Sequence, residues 1–224
     1  MTGSSPSCEA NFRNVWFGMD AKARSDRQAR RRRQILSATL RLLRRHGTGI
    51  TTAQIAAEAH CSKETLYNWF KDRDGIFLTL VEEQAQAMSD ALAKSIAKTD
   101  GMTFRDKLEA CCIALLDLMT GEAVIAVNRA AMAQACRERA DLGLAVIDDW
   151  QARVAVPFQA VIDEGVISGA VRIADVGEAF DTLTALLLGD RQRRLLLGEE
   201  SRPAGDDMAN MASMAVNRWM RIYG

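Results

Sequence analysis

The stretch TTAQIAAEAHCSKETLYNWFK, from Thr51 to Lys71, predicts two short helices joined by a tight turn. Thr51 and Gln54 have the spacing of a capping box, in which the side chain of each residue hydrogen-bonds the backbone N–H of the other. Ser62 begins the second helix as a strong N-cap. The stretch therefore has the form of a helix-turn-helix unit.

The second of these helices has an apolar side and a polar side. At about 100° per residue, Leu66, Trp69 and Phe70 share a side that must be buried. The other side carries amide, carboxylate, hydroxyl and ammonium groups, which can hydrogen-bond base edges and phosphates in the major groove of DNA. A polar outer face is also the default for a surface helix, so composition alone leaves an ordinary solvated face as an equal alternative.

The same stretch resembles the DNA-binding domain of the tetracycline-repressor (TetR) family of bacterial transcription regulators. The residues that agree with the family pattern are Thr51, Thr52, Ile55, Ala56, Ala59, Ser62, Lys63, Thr65, Leu66, Tyr67, Phe70 and Arg73. The resemblance covers residues 26 to about 90, and the rest of the chain is compatible with the family's variable helical regulatory domain. It implies an all-α, dimeric regulator that binds a palindromic operator in double-stranded DNA, with a small-molecule effector releasing repression.

One position in the turn departs from the family pattern. The family usually has glycine there, and this chain has His60. We expect a left-handed backbone at this residue, which His tolerates more often than most side chains do. A metal site formed by His60 and Cys61 is disfavoured because no second pair of ligands has a usable spacing, and we expect no metal or other cofactor.

The resemblance also implies which side chains approach DNA. The candidate DNA-binding residues are Arg30, Arg31, Thr51, Thr52, Lys63, Glu64, Thr65, Tyr67, Asn68 and Lys71. Glu64 and Asn68 are the candidates for base edges, whereas the other side chains of the motif would mainly hold phosphates. A carboxylate at position 64 requires a donor such as a cytosine amino group. The alternative is a simple acidic charge that stabilises the N-terminus of its helix.

The charges are unevenly distributed along the chain. Residues 1–75 contain 14 Lys and Arg against 7 Asp and Glu, so the first third has a net charge of +7 and the remainder −7. Arg30 to Arg33 form a basic run just before the motif. Phosphate contact by one or two of these arginines would release counterions and strengthen binding, and a solvated charge run is the alternative.

The chain of 224 residues is long enough for one large domain or two small ones. We assign residues 1–24 to a poorly ordered tail, 25–75 to the DNA-binding head, 76–98 to a connecting helix, and 103–224 to a ligand-binding and dimerisation domain. Capping patterns predict further helices from Ser25 to about Arg45, from Phe104 to about Met119 and from Asp175 to about Leu197. A helix from about Asp141 to Glu164 should kink at Pro157. Met19 is a second candidate for the natural start of translation.

The expected cellular location is inferred from the membrane and secretion signals that the sequence lacks. It has no apolar run of about 18 residues, so we expect no membrane span. Its first residues lack the long apolar region of a secretory signal. The five cysteines form an odd set without a C-x-x-C pair, which indicates reduced thiols in a cytoplasmic protein. A thiol sensor using Cys111 and Cys112 is a weak alternative because adjacent cysteines rarely bridge.

Two further sets of residues are predicted from the helical patterns. Soft and aromatic side chains suited to an adaptable ligand pocket are Met88, Leu92, Cys111, Leu115, Met119, Met132, Cys136, Trp150 and Phe158. The alternative for each of them is ordinary core. The two C-terminal helices would form a dimer interface through Phe180, Leu183, Leu187, Met211, Ala215 and Trp219. For these residues the alternative is the core of their own chain.

A helical enzyme with an apolar substrate pocket is the second function considered. The only histidines, His46 and His60, are both in the basic head. The chain has no Gly-rich phosphate loop, no G-x-S-x-G and no H-E-x-x-H motif. We therefore predict a regulator without catalytic residues.

Two substitutions separate the roles of neighbouring side chains. Tyr67→Ala should weaken binding to every DNA sequence, because a phosphate contact carries no sequence information. Asn68→Ala should cost about 1–3 kcal/mol at the specific site and far less on random DNA. Binding isotherms on both kinds of duplex at one stated salt concentration test this. Equal losses on both duplexes for Asn68→Ala would refute its role in base reading.

Overall fold

A computed structural model describes residues 7–98, 101–136, 141–199 and 202–224, with side chains from residue 26 onward. This part of the chain forms eleven α-helices and contains no strand, which confirms the all-α prediction. The helices are α1 Ser7–His46, α2 Thr52–Glu58, α3 Lys63–Phe70, α4 Arg73–Ala97, α5 Phe104–Met119, α6 Glu122–Ala135, α7 Asp141–Trp150, α8 Val156–Ile167, α9 Val176–Leu188, α10 Arg191–Leu197 and α11 Gly205–Tyr223.

Helix starts follow the predicted caps. Thr51 Oγ1 accepts a hydrogen bond from the Gln54 N–H at 3.2 Å, and Gln54 Oε1 accepts one from the Thr51 N–H at 2.8 Å. Ser62 Oγ accepts one from the Thr65 N–H at 3.1 Å. Thr103 and Asp175 cap α5 and α9 in the same way. These capping predictions are confirmed because a cap depends only on residues within one turn.

The first helix begins earlier than predicted. Residues 1–6 of the predicted tail lie outside the described residues, but from Ser7 onward the chain is helical, and α1 runs for 40 residues. The prediction of a helix start at Ser25 is therefore wrong. The reason is that no proline follows Pro6 in this segment and Gly18 is its single glycine, so nothing in the sequence ends a helix there.

Two other predicted helices are interrupted. A π-helical segment, Gln151–Ala155, joins α7 to α8 directly before Pro157, and the Val156 N–H bonds the Gln151 carbonyl. Pro157 has no N–H to continue the regular pattern, so the irregularity falls in the turn that precedes it. The predicted helix from 175 to 197 breaks at Gly189, whose φ of 52° ends α9.

One hydrophobic cluster joins the head to α6 and α7. Its members from the head and from α4 include Ile35, Leu36, Ile55, Leu66, Phe70 and Phe77. Its members from α6 and α7 are Ala126, Val127, Ala130, Ala131 and Leu142. Arg44 on α1 also pairs with Glu122 at the start of α6. The head is therefore packed against the regulatory helices and shares one core with them.

A second cluster fills the space between α4, α5, α8, α9 and α11. Trp219 is fully buried there, and its Nε1 donates to the Ala179 carbonyl at 2.8 Å. The rings of Phe158 and Phe180 pack with centroids 5.4 Å apart. The apolar faces of the two C-terminal helices are thus used within one chain.

This second cluster corrects the predicted dimer interface. Phe180, Leu183, Leu187, Ala215 and Trp219 are each at most 3% exposed in the single chain, so they are core residues. Met211 is partly buried against the same cluster. A partner subunit cannot contact side chains that their own chain already covers.

No single helix among the described residues is long and apolar enough to cross a membrane. The pair α5 and α6, bent by 55°, passes that test together on length and composition. On α5, Leu108, Leu115 and Leu116 are fully buried in the second cluster, and on α6, Val127, Ala130 and Ala131 are buried in the first. The apolar character of this pair is accounted for by the core.

Gly165 on α8 gives a test of the core packing. A Cβ at this position would lie inside van der Waals contact of the Phe104 ring on α5. We expect Gly165→Ala to reduce the free energy of unfolding by about 1–3 kcal/mol, because the ring must shift within a packed core. Urea denaturation provides the measurement.

The matched control is Gly143→Ala on α7, where nothing lies within 4 Å of an added Cβ. This substitution should stabilise the protein by up to about 1 kcal/mol through helix propensity. Similar effects of the two substitutions would contradict the close approach of α5 and α8.

Candidate nucleic-acid interface and adjoining cavity

The helix α3 presents its polar side to solvent because its apolar side is held in the core. Leu66 is 1% exposed and Phe70 5%, and Trp69 packs against the same cluster. On the other side Lys63, Glu64, Asn68 and Lys71 are exposed, and Tyr67 is 50% exposed. A helix whose apolar side is held in the core and whose polar side is exposed has the geometry that a major-groove reader requires.

The turn before α3 has the predicted backbone. His60 has a φ of 51°, in the left-handed region. The Arg31 guanidinium donates to the His60 carbonyl and, at 3.1 Å, to Gln34 Oε1. Arg31 therefore ties α1 to the turn of the motif, which is a positioning role that the sequence did not indicate. Arg30 is exposed beside it.

The junction after α3 has a second positive φ. Lys71 has φ 68° and ψ −54°, and the Asp72 N–H donates across it to the Phe70 carbonyl at 2.8 Å. These values define a γ-turn of the rare positive-φ type, which a non-glycine residue adopts only under strain. The Lys71 side chain, a predicted phosphate contact, thus projects from a sharp corner at the end of α3.

Gly75 makes this junction possible. Its N–H donates to Asp72 Oδ1 at 2.8 Å in the N-cap of α4. A Cβ at position 75 would collide with the carbonyl oxygen of Phe70. The end of α3 and the first turn of α4 therefore approach so closely that only glycine fits. Sequence reasoning missed this residue, although a glycine in the first turn of a long helix was the available signal.

Two arginines hold the junction to the rest of the head. The Arg73 guanidinium donates to the Thr48 carbonyl and lies 4.9 Å from the centre of the Phe77 ring. The Arg32 guanidinium lies 5.7 Å from the centre of the Phe70 ring. Such cation–π contacts contribute about 0.5–1 kcal/mol each at exposed sites. Part of the basic run therefore stabilises the head.

Several of the remaining predicted DNA-binding residues have defined local roles. Thr51 is occupied as the cap of α2, and Thr52 is the first residue of that helix. The Thr65 hydroxyl lies 3.0 Å from Ser62 Oγ at the start of α3. Arg41 bonds Glu58 at 3.0 Å, and this hydrogen bond holds the pKa of the Glu58 carboxyl below its usual value.

A cavity of about 330 Å³ lies behind the head, between α4, α6, α7 and α9. Its apolar wall includes Val81, Ala85, Met88, Met119, Val127, Val146, Trp150 and Val154. Its polar side chains are Gln84, Asn128, Asp149, Thr184 and Gln192. Asp149 is the single carboxylate among these described residues, so the cavity has no paired groups for acid–base or nucleophilic catalysis.

The cavity agrees with part of the predicted ligand pocket. Met88, Met119 and Trp150 line it. The side chains that fill the neighbouring core without lining the cavity are Leu92, Cys111, Leu115 and Phe158. Met132, which is 55% exposed, and Cys136, which is also exposed, do not line this cavity. In this part of α6 the side chains that face the core are those of Ala130 and Ala131.

The described cysteines are free thiols in different surroundings. Burial raises the pKa of Cys111 to about 11 and that of Cys112 well above its usual value. A protonated thiol is a poor nucleophile, so this pair is unsuited to redox sensing. No group of three or more His, Cys, Asp or Glu among the described residues is placed to hold a metal ion.

These features define a helix-turn-helix protein in which α4 joins α3 to a helical domain that contains a cavity. Comparison with known families agrees with this class. Residues 106–224 match the model of the AefR-like transcriptional repressor C-terminal domain, and residues 35–80 match that of bacterial regulatory proteins of the tetR family. The chain belongs to the TetR family of DNA-binding transcriptional regulators. No curated protein matches it.

Solved structures show the same fold. A TetR-family regulator from Mesorhizobium loti MAFF303099 has a TM-score of 0.79 at 22% identity, covering 88% of this chain and 98% of that one. A TetR regulator from Agrobacterium tumefaciens is 30% identical, with a TM-score of 0.66 over 86% and 94%. The flavonoid-responsive regulator FrrA has a TM-score of 0.65 at 16% identity, over 87% and 97%.

The close junction at Gly75 leads to a prediction for DNA binding. Gly75→Ala should lower affinity for a selected DNA site at least about tenfold, because relieving the collision with Phe70 tilts α3. Fluorescence anisotropy measures the affinity, and circular dichroism checks that the variant is folded.

Gly49→Ala is the control within the head, since nothing lies within 4 Å of an added Cβ there. It should bind like the parent protein. If Gly75→Ala also binds like the parent, α3 does not depend on this junction.

Proposed function

We propose that this protein is a dimeric repressor that binds a palindromic operator and leaves it when a small molecule fills the cavity. The observation that carries the proposal is α4, which begins at the strained junction with α3 and continues along the wall of the cavity. In this proposal residues 25–75 form the DNA-binding head, 76–98 the connecting helix, and 103–224 the ligand-binding and dimerisation part.

The exposed face of α3 supports the assignment of the DNA contacts. Glu64 and Asn68 lie on that face and would read base edges, while Lys63, Tyr67 and Lys71 would hold phosphates at its two ends. Thr52 and Thr65 lie in the first turns of α2 and α3, and Arg30 lies on α1 near the turn at His60. All three would add phosphate contacts. Arg31 and Thr51 would act mainly by positioning the motif, because their polar groups are already bonded within the protein.

The helix α4 would connect the cavity to the DNA-binding helix α3. The helix α4 has 25 residues and spans about 37 Å at 1.5 Å per residue. Val81, Ala85 and Met88 on this helix line the cavity. Asp74 in its first turn accepts a hydrogen bond from Gln134 of α6 at 3.0 Å. A ligand that fits better when α4 is displaced would move the junction at α3, and affinity for DNA would fall by the same coupling free energy.

The dimer would use the outer faces of α9 and α11. Glu178 and Asp181 give the outer face of α9 acidic groups, and Arg218 and Arg221 give that of α11 basic groups. A twofold axis would place α9 of one subunit against α11 of the other, so the charges would pair twice. Exposed Met214 on α11 would supply apolar contact at the centre.

Selection of binding sites from random duplex DNA tests the proposal. The purified full chain, at one stated salt near physiological, should recover an inverted repeat whose half-sites lie one or more helical turns apart. Light scattering should give the mass of a dimer. Recovery of unrelated sequences whose binding collapses with modest salt would refute sequence-specific regulation, because basic charge alone produces that behaviour.

A further inference from the structure

A basic cleft lies where the head meets the regulatory helices. Its volume is about 620 Å³, it is open to solvent, and it shares no lining residue with the cavity behind α4. Glu122 is the single carboxylate among the described residues that line it. Five arginines from three parts of the chain surround it: Arg41, Arg44 and Arg45 of α1, Arg129 of α6, and Arg202 before α11.

Three of these arginines have a carboxylate partner. The pairs are Arg41 with Glu58, Arg44 with Glu122, and Arg202 with Asp117. All three arginines are exposed. Exposed ion pairs contribute little free energy, so a stronger anion can exchange with the carboxylate at small cost.

The other two arginines have no carboxylate partner among the described residues. The Arg129 guanidinium donates to the neutral carbonyls of Leu195 at 2.6 Å and Leu196 at 2.9 Å. Arg45 forms no hydrogen bond or ion pair with the described residues. Five guanidinium groups thus face three carboxylates, and the cleft keeps an excess of two positive charges. Such an excess attracts anions to the cleft.

The floor of the cleft is apolar and packed. Leu43, Ile125 and Leu195 line it and are each at most 7% exposed. Leu43 of α1 and Ala126 of α6 belong to one hydrophobic cluster, so the two helices that carry most of the arginines are held together. The arginines therefore converge without a ligand, which lowers the entropy cost of binding one.

A local explanation covers only part of the cluster. Arg44 and Arg45 lie in the last turn of α1, where positive charge stabilises the end of a helix. That effect does not account for Arg129 in the middle of α6 or for Arg202 outside any helix. These two side chains reach the same cleft from distant parts of the sequence.

We infer that this cleft binds a compact anion with two or more linked phosphate groups, as in the phosphate chain of a nucleotide or an inorganic polyphosphate. Guanidinium groups suit phosphate because their planar forks bond two oxygens at once. Arg45 and Arg129 supply the excess charge, and Arg44 exchanges Glu122 for the ligand. The inference does not depend on the proposed function, since it involves neither the outer face of α3 nor the cavity.

The first test titrates inorganic triphosphate, ATP and orthophosphate separately into the full-length protein, without DNA or divalent metal, at one stated salt. Calorimetry should show one triphosphate per chain, bound at least about tenfold more tightly than orthophosphate. No binding of triphosphate or ATP, or equal binding of triphosphate and orthophosphate, would overturn the inference.

Comparison of ATP with triphosphate identifies the source of the phosphate groups. Tighter binding of ATP supports a nucleotide whose base and sugar contact the apolar floor. Equal or weaker binding of ATP supports an inorganic polyphosphate, because the phosphate chain alone is then recognised.

Three single-charge variants test the cleft itself. Arg45→Gln should weaken triphosphate binding about fivefold, and Glu122→Gln should tighten it about fivefold because a like charge is removed. Arg172→Gln is the matched control, since this exposed arginine lies between α8 and α9, outside the cleft. It should bind like the parent protein. Equal losses for Arg45→Gln and Arg172→Gln, or no gain for Glu122→Gln, would contradict the site.

DNA is the other polyanion that a basic surface on the head could bind. Anisotropy with random duplex DNA measures this for the parent protein and for Arg45→Gln. The variant should bind random duplex within about twofold of the parent, because the cleft is not a phosphate contact for DNA. A loss on DNA as large as the loss on triphosphate would assign these arginines to the DNA interface and refute the inference.

Discussion

The close contact between the Phe70 carbonyl and the first turn of α4 sets the direction of α3. The γ-turn at Lys71 reverses the chain within one residue, and Gly75 leaves the space that the carbonyl occupies. Buried Leu66 and Phe70 hold the other side of α3, so the strain at Lys71 is offset by packing. The polar face of α3 has one orientation because the junction fixes the end of the helix and the core holds its apolar side.

The shared core makes the head and the cavity parts of one packed body. Ala130 and Ala131 of α6 lie in the same cluster as the apolar side of α3. Val127 belongs to that cluster and also lines the cavity. Packed cores transmit displacement because they contain few voids. In the proposed mechanism, a ligand in the cavity would act on the head through α6 as well as through α4.

Apolar patterns predicted which side chains are buried but not what buries them. Phe180 on α9 and Trp219 on α11 belong to apolar helix faces that predict an interface between subunits, and the structure buries both side chains within one chain. Cys111 and Met119 are both soft, buried side chains on α5, about two turns apart, yet only Met119 lines the cavity. Such choices depend on which helix lies opposite, and residues far apart in the sequence determine that.

The sequence by itself determined the caps, most helices and the two sides of α3, because each depends on side chains within a few residues. Tertiary structure decided the positive φ of Lys71, the need for glycine at position 75 and the bonding of Arg31 to the turn. It also decided which pocket candidates meet in the cavity. These features depend on contacts between separate helices, and their energies exceed the local preferences that a sequence pattern records.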